Sequence, residues 1–386
     1  MDYQATTPVD PRVFEAMRPY FCELFGNPAS KSHSYGWRAE DAVEKARRQV
    51  AELIGAQPKE IVFTSGATES NNLAIKGVVD GYADRGNHVI TVATEHKGVL
   101  DVCKHLKNAE VTILPVSIDG LIDLDQLRAA ITDRTVLISV MIANNEIGVL
   151  QNVREIGKIA KERGVLMHSD GTQGAGKIPV DVIADNIDLL SMSGHKIYGP
   201  KGVGALYVRS RDPRVKLAEQ MNGGGHEHGM RSGTLNVPGI VGLGEACAIA
   251  KAEMAEESKR TAALRDRLRE KLMAELDQVY VNGSIEHRLP NNLNMSFACV
   301  DSESLLMGIH DVAVSSGSAC SSATVEPTHV LKALNIGPER ALSAIRFGIG
   351  RFTTQEEVDY VAGRVIEAVR KLRELSPVYE MSRARE

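Results

Sequence analysis

Several absences narrow the class of this chain before any motif is considered. It has only five cysteines, Cys22, Cys103, Cys247, Cys299 and Cys320, scattered, odd in number and without a Cys-x-x-Cys pair. A disulfide framework or a clustered zinc site is therefore not the basis of the fold. No apolar run is long enough to span a bilayer, so no membrane partner is expected. The opening residues, Met1-Asp2-Tyr3-Gln4-Ala5-Thr6-Thr7-Pro8, show neither a basic stretch followed by an apolar one nor an arginine-rich pattern. No secretory signal or transit peptide is read there, and a cytoplasmic location is expected. With 45 Lys and Arg against 50 Asp and Glu the formal net charge is −5. No broad basic surface follows, which argues against nucleic acid as the main ligand. Internal repeats, low-complexity tracts and proline-rich linkers are also missing.

The 386 residues, 43% hydrophobic and 25% charged, describe an ordinary globular chain with room for two or three domains. Apolar residues at helical spacing run from Tyr35 to Ala56 (Ala39, Val43, Ala46, Val50, Leu53), and Gly55 marks their end. Ile61-Val62-Phe63-Thr64 reads as a buried strand, Ser65 to Ser70 as a turn, and Asn71 to Val79 as a helix. Further strands are expected at His88–Val92, Val111–Val116, Val136–Ala143, Val165–His168, Ile187–Met192 and Val203–Val208. Helical patterns at Val99–Leu106, Leu124–Ile131 and Val153–Arg163 separate many of them. Short apolar strands alternating with helices predict an α/β fold with a mostly parallel sheet covered on both faces. From Ile240 to Leu276 the texture becomes rich in Ala, Glu, Lys, Arg and Leu, as in one or two long helices. Strands near Asn292–Phe297 and Ala344–Phe347, with helices near Ser302–His310 and Gln355–Leu375, then suggest a smaller α+β unit.

The chemistry-bearing residues gather where these apolar runs end. Lys196 lies in Ser193-Gly194-His195-Lys196-Ile197-Tyr198-Gly199-Pro200, just after one strand, and Asp170 ends another in His168-Ser169-Asp170-Gly171-Thr172-Gln173. A desolvated lysine can bond to an aldehyde, and a carboxylate can hold a pyridine nitrogen protonated. Pyridoxal phosphate needs both. The competing reading of Asp170 is a turn cap. Gln173 could reach the phenolic oxygen of the same ring. Gly66-Ala67-Thr68, between a strand and a helix, offers backbone N–H groups to a phosphate, or is an ordinary N-cap. His96, in Thr94-Glu95-His96-Lys97, is either structural or a stacking and proton-moving ring. Cys320 sits in Ser315-Ser316-Gly317-Ser318-Ala319-Cys320-Ser321-Ser322, a small polar setting that suits a travelling nucleophile. Cys247 and Cys299 are read instead as inert thiols among apolar residues. Arg346, inside the strand Ala344-Ile345-Arg346-Phe347, is a clamp for an amino-acid carboxylate or half of a structural ion pair. Gly171-Thr172-Gln173-Gly174-Ala175-Gly176-Lys177 mimics a nucleoside-triphosphate loop but continues with Ile178, where a magnesium-binding hydroxyl is required. His226-Glu227-His228 lacks the helical spacing of a metal site and reads as a loop.

Together these motifs resemble the cysteine desulfurases of the IscS/NifS class, within the pyridoxal-phosphate fold-type I group, from Asp2-Tyr3 to about Glu380. The carrying residues include Ala5-Thr6-Thr7-Pro8, Gly26-Asn27-Pro28, Thr64-Ser65-Gly66-Ala67-Thr68-Glu69, Asn144-Asn145-Glu146-Ile147-Gly148, Ser193-Gly194-His195-Lys196, Arg231-Ser232-Gly233-Thr234 and the loop around Cys320, whose form is similar to the housekeeping IscS type. The resemblance implies a large cofactor domain, residues 6–256, with a mostly parallel seven-stranded sheet between helices. It implies a small α+β domain of residues 1–5 and 257–386 carrying the cysteine loop. Lys196 would bond to the cofactor, Asp170 and Gln173 would bind its ring, and His96 would stack on it. Ala67, Thr68, Ser193 and His195 would hold its phosphate, and Thr234 would reach the phosphate of the other subunit of a homodimer. Asn145 and Arg346 would hold the carboxylate of L-cysteine. Cys320 would take the sulfur as a persulfide and pass it to an iron–sulfur scaffold protein or another acceptor, tRNA thiolation included. No resident metal is implied; an iron–sulfur cluster would meet Cys320 only during transfer. Selenocysteine lyase and aminotransferase activities on the same fold are the alternatives. The chain departs from the family pattern at Gly171, usually alanine, at Ile142, often histidine, and at Leu342 and Ala344, often polar. Its end soon after Pro377-Val378-Tyr379 leads to an expectation of altered scaffold docking.

Overall fold

The computed structural model describes residues 1–317, 326–377, and 379–380. Seven strands form the main sheet: β1 (Ile61–Thr64), β2 (His88–Val92), β3 (Glu110–Leu114), β4 (Thr135–Ser139), β5 (Leu166–Asp170), β6 (Leu189–Ser193) and β7 (Gly204–Val208). Their spatial order is β1-β7-β6-β5-β4-β2-β3. β2 to β6 pair in parallel, and β7 alone runs against its neighbours β1 and β6. Every residue of the sheet is buried except in the edge strand β3, which is why these strands read as continuous apolar runs rather than alternating ones. Two boundaries moved for a physical reason. The buried run continues past β4, with Val140 and Ile142 still donating to carbonyls of β5. β5 itself extends through two polar residues, because Ser169 Oγ is satisfied by the Val140 carbonyl at 2.6 Å and Asp170 by donors described below.

A second, antiparallel sheet is ordered β10-β11-β9-β8, from β8 (Val279–Val281), β9 (Asn292–Phe297), β10 (Ser315–Ser316) and β11 (Ala344–Gly348). One uninterrupted helix of 39 residues, Val237–Glu275, joins the two regions. Its first half puts Ile240, Leu243 and Cys247 into the core beneath the large sheet. Its second half puts Leu264, Leu268 and Leu272 against Phe297, Phe347 and Val365 under the small one. Among the described residues no helix is long and apolar enough to cross a membrane.

Three local readings are corrected or decided. Cys247 is fully buried, but Cys299 is half-buried on a left-handed backbone (φ 62) at a turn, so it is not a core thiol. The helix expected from Asn71 begins at Ala67, with Gly66 as its N-cap. Glu227 is committed structurally: the Arg47 guanidinium donates to both its oxygens at 2.8 Å, and Phe63 N donates at 2.7 Å.

Candidate active site

The carboxyl ends of the parallel strands converge on a cavity of about 700 Å³, the place where open α/β sheets bind ligands. Gly66 and Thr68 follow β1, His96 follows β2, Asn145 follows β4, Asp170 ends β5, and Ser193 to Lys196 end β6. Arg346 enters from β11 of the small sheet. Ala67, Thr68, His96, Asn145, Asp170, Gln173, Ser193, His195, Lys196 and Arg346 thus line one cavity. Thr234 does not; it is exposed on the surface, three positions beyond Arg231, whose guanidinium binds Glu69 beside the β1 turn at 2.7 Å. Cys320 lies outside the described residues, but both flanks of its loop are tied near the cavity. Gly317 N donates to the Ala344 carbonyl at 2.7 Å, and Thr328 N donates to the Gly317 carbonyl at 2.8 Å. His329 Nε2 bonds the Glu95 carbonyl at 2.8 Å.

Lys196 stands on a short 3₁₀ turn, Gly194–Lys196, that directly follows β6. Its ammonium donates to the carbonyl oxygens of Gln4 and Ala5, each at 2.7 Å. Burial, then the cations of Arg346 and Lys177, bring its pKa down from 10.5 to about 8. Its proton is therefore easier to lose than that of a free lysine, although most of the amine still carries it at pH 7. Asp170 accepts from Thr172 N at 2.9 Å and from Asn71 Nδ2 at 2.9 Å. The bond from Thr172 N is the turn cap that the sequence offered. His195 is driven down to about 4 by burial and by Lys196 and Lys201, so it is a neutral ring; its Nδ1 bonds Thr6 Oγ1 at 3.1 Å. His96 Nδ1 accepts from Gly98 N at 2.9 Å, which leaves its proton on Nε2. Gly66 takes φ 149 to aim the helix N-terminus into the cavity. Only glycine adopts that backbone without strain.

Arg346 is half of a structural ion pair, one of its two sequence readings. It pairs with Asp2 at 2.8 Å, and it also donates to Ser315 Oγ and to the Asn145 carbonyl, both at 2.8 Å. Its Nε, the Oδ1 atoms of Asn145 and Asn71, and Gln173 Oε1 are buried with no protein partner. Buried polar atoms are normally satisfied, so this cluster of orphans around one cavity points to a polar ligand. A lysine amine, a carboxylate at the base, a helix N-terminus and a set of unpaired polar atoms match an aldehyde, a pyridine nitrogen, a phosphate and polar ring substituents. The residues present fit pyridoxal phosphate.

Three contributors escaped sequence reasoning. Asn71 was counted only as helix, although its place one turn after Ala67 puts it on the face toward β5. Gln4 spans the site from the N-terminal segment, giving its carbonyl to Lys196 and to Gln173 Nε2 at 3.1 Å. Glu95 is fully buried beside His96; burial, then the charge of Asp170, push its carboxyl well above the usual range. A glutamate ending an apolar run beside a histidine was the only signal for the last.

Fold and site together define a pyridoxal-phosphate-dependent enzyme. The aminotransferase class-V family matches residues 1–361, and the chain belongs to that family. It is 59% identical to a cysteine desulfurase IscS of Rickettsia conorii over 383 residues, 99% of this chain and 93% of that protein. It is 61% identical to a cysteine desulfurase IscS of an Anaeromyxobacter species over 99% of this chain and 95% of that protein. Among solved structures, a NifS-like protein superposes with a TM-score of 0.88 at 39% identity, covering 95% of this chain and 97% of that one.

Proposed function

We infer that the chain is a pyridoxal-phosphate-dependent cysteine desulfurase, converting L-cysteine to L-alanine and loading the sulfur onto Cys320 as a persulfide. The observation that carries this reading is the Lys196 amine and the Asp170 carboxylate at the ends of adjacent strands, with the Arg346 guanidinium across the same cavity. When bound, pyridoxal phosphate supplies an aldehyde that captures amines and a ring that accepts an electron pair. The residues divide the remaining work. Asp170, kept in place by Asn71 and Thr172 N, would hold a proton on the ring nitrogen. Gln173 would bond the ring oxygen, and His96 would lie over the ring with its Nε2–H free to donate. The helix N-terminus at Ala67 and Thr68, with Ser193 and His195, would hold the phosphate. Arg346 and Asn145 would orient the substrate carboxylate, with the unpaired Arg346 Nε–H as a donor ready for it. Lys196, whose ammonium burial and two nearby cations make easier to deprotonate, would move the α-proton of cysteine. The Cys320 thiolate would then attack the substrate sulfur. The new S–S bond forms as the Cβ–S bond breaks, the electron pair stays on Cβ, and a proton added there gives alanine.

We also propose a homodimer in which Thr234 reaches the phosphate of the second subunit. Exposed Phe21, Phe25 and Trp37, at 57%, 65% and 52%, support a covered surface of this kind. Residues 6–256 would form the cofactor unit and residues 1–5 with 257–386 the unit carrying the cysteine loop, the long helix bridging both cores. An iron–sulfur scaffold protein or a tRNA-thiolation relay in the cytoplasm would receive the sulfur. Mass spectrometry after cysteine addition tests the reading. One added sulfur on the Cys320 peptide, with equal alanine and sulfide in the presence of a thiol, is expected. Full sulfide output from Cys320→Ser, or pyruvate as the product, would overturn it.

A further inference from the structure

The nucleotide-loop mimic ends in Lys177, and the structure gives that residue a different place. Lys177 is only 8% exposed, yet among the described residues no carboxylate pairs with it directly. Glu257, the acid that acts on it most, is held by Arg351 at 2.8 Å. The Lys177 ammonium instead donates to the main-chain carbonyl of Lys196 at 2.6 Å and lies 6.0 Å from the centre of the Tyr198 ring. A buried cation without a paired anion is costly, so a residue kept in this state against the Lys196 carbonyl invites a functional account.

We propose that Lys177 is a positioning residue for Lys196: its buried ammonium pins the turn that carries the reactive amine and adds positive potential to it. The geometry supports both parts. Lys196 sits on a single 3₁₀ turn; Lys177 donates to its main-chain carbonyl, while the Lys196 side-chain ammonium donates to the carbonyls of Gln4 and Ala5. The charges facing Lys196 are Arg346 from β11, Lys177 from the turn after β5, Asp170 from β5 and Asp2 from the N-terminal segment. Those facing Lys177 are Glu257 from the long helix and Arg351 from the segment after β11. For Lys196 the cations outweigh the acids, and Lys177 is one of the two cations responsible. Lysines made reactive by a neighbouring ammonium are a general device of imine-forming sites.

The inference rests on Lys196 being the cofactor lysine, and the test separates the two. Holoenzyme is prepared from the parent, Lys177→Met, Lys177→Gln and Lys177→Arg, and its visible absorption is titrated with pH. Gln keeps a donor without charge, and Arg keeps the charge. The midpoint of the colour change is expected to rise by about half a pH unit or more in Met and Gln, because removing a cation favours the protonated linkage. It is expected to stay near the parent value in Arg. If Met fails to fold, Gln carries the comparison. Unmoved midpoints in a folded neutral variant overturn the proposal. Borohydride reduction and peptide mapping of the same samples identify the linked residue; label on Lys196 with an unmoved midpoint sinks only this inference, and label elsewhere sinks the site reading as well.

Discussion

Replacing Lys196 with methionine is expected to destroy activity and stabilise the fold. The Lys196 ammonium is half-buried, has only carbonyl oxygens as direct partners, and feels two nearby cations. Its folded pKa of about 8 lies below the ordinary 10.5. The folded chain therefore binds this proton more weakly than the unfolded chain, and stability rises with pH between those two values. The penalty is complete below about pH 8 and gone above about 10.5. At about 1.4 kcal/mol per pH unit it cannot exceed about 3.5 kcal/mol, and partial solvent access lowers that to about 1–3 kcal/mol. Lys196→Met, in protein stripped of cofactor, should gain that amount at pH 7 and roughly a quarter of it at pH 10. Urea titrations of both proteins at the two pH values read the gain directly. A variant no more stable than the parent at pH 7, or a gain just as large at pH 10, refutes the argument that this amine is held in an environment hostile to its charge.

Asn71→Leu removes the buried donor to Asp170 Oδ2, and it should cost about 1.5–3 kcal/mol, read as a lower urea midpoint, together with weaker cofactor retention on dialysis. An unchanged midpoint would mean that this bond contributes nothing. Arg346→Lys loses the forked geometry, so KM for cysteine should rise about tenfold or more while kcat falls less; steady-state kinetics with unaltered KM would remove Arg346 from the substrate site. Gly204→Ala places a methyl 2.5 Å from the Met192 carbonyl and 2.7 Å from Gly66 Cα. The β1 turn must shift, and cofactor affinity, followed by fluorescence, should drop at least several-fold, whereas retained affinity would show that the turn has slack.

The sequence by itself determined the alternation of elements and which residues stand at strand ends. Strands of the main sheet are buried on both faces and read as apolar runs, so β1 and β2 were bounded to the residue, and Lys196 and Asp170 marked themselves by standing at the ends of such runs. Motifs local to one turn were equally readable. Tertiary structure alone decided the contacts made across the chain. Asn71 meets Asp170 at a separation of 99 residues, and Arg346 meets Asp2 at 344. Lys177 donates to the main-chain carbonyl of Lys196, 19 residues on. Periodicity records which face of an element is hidden and not which neighbour hides it. That choice belongs to the strand order, in which β5 and β6 lie side by side and β11 is brought to their ends by the long helix.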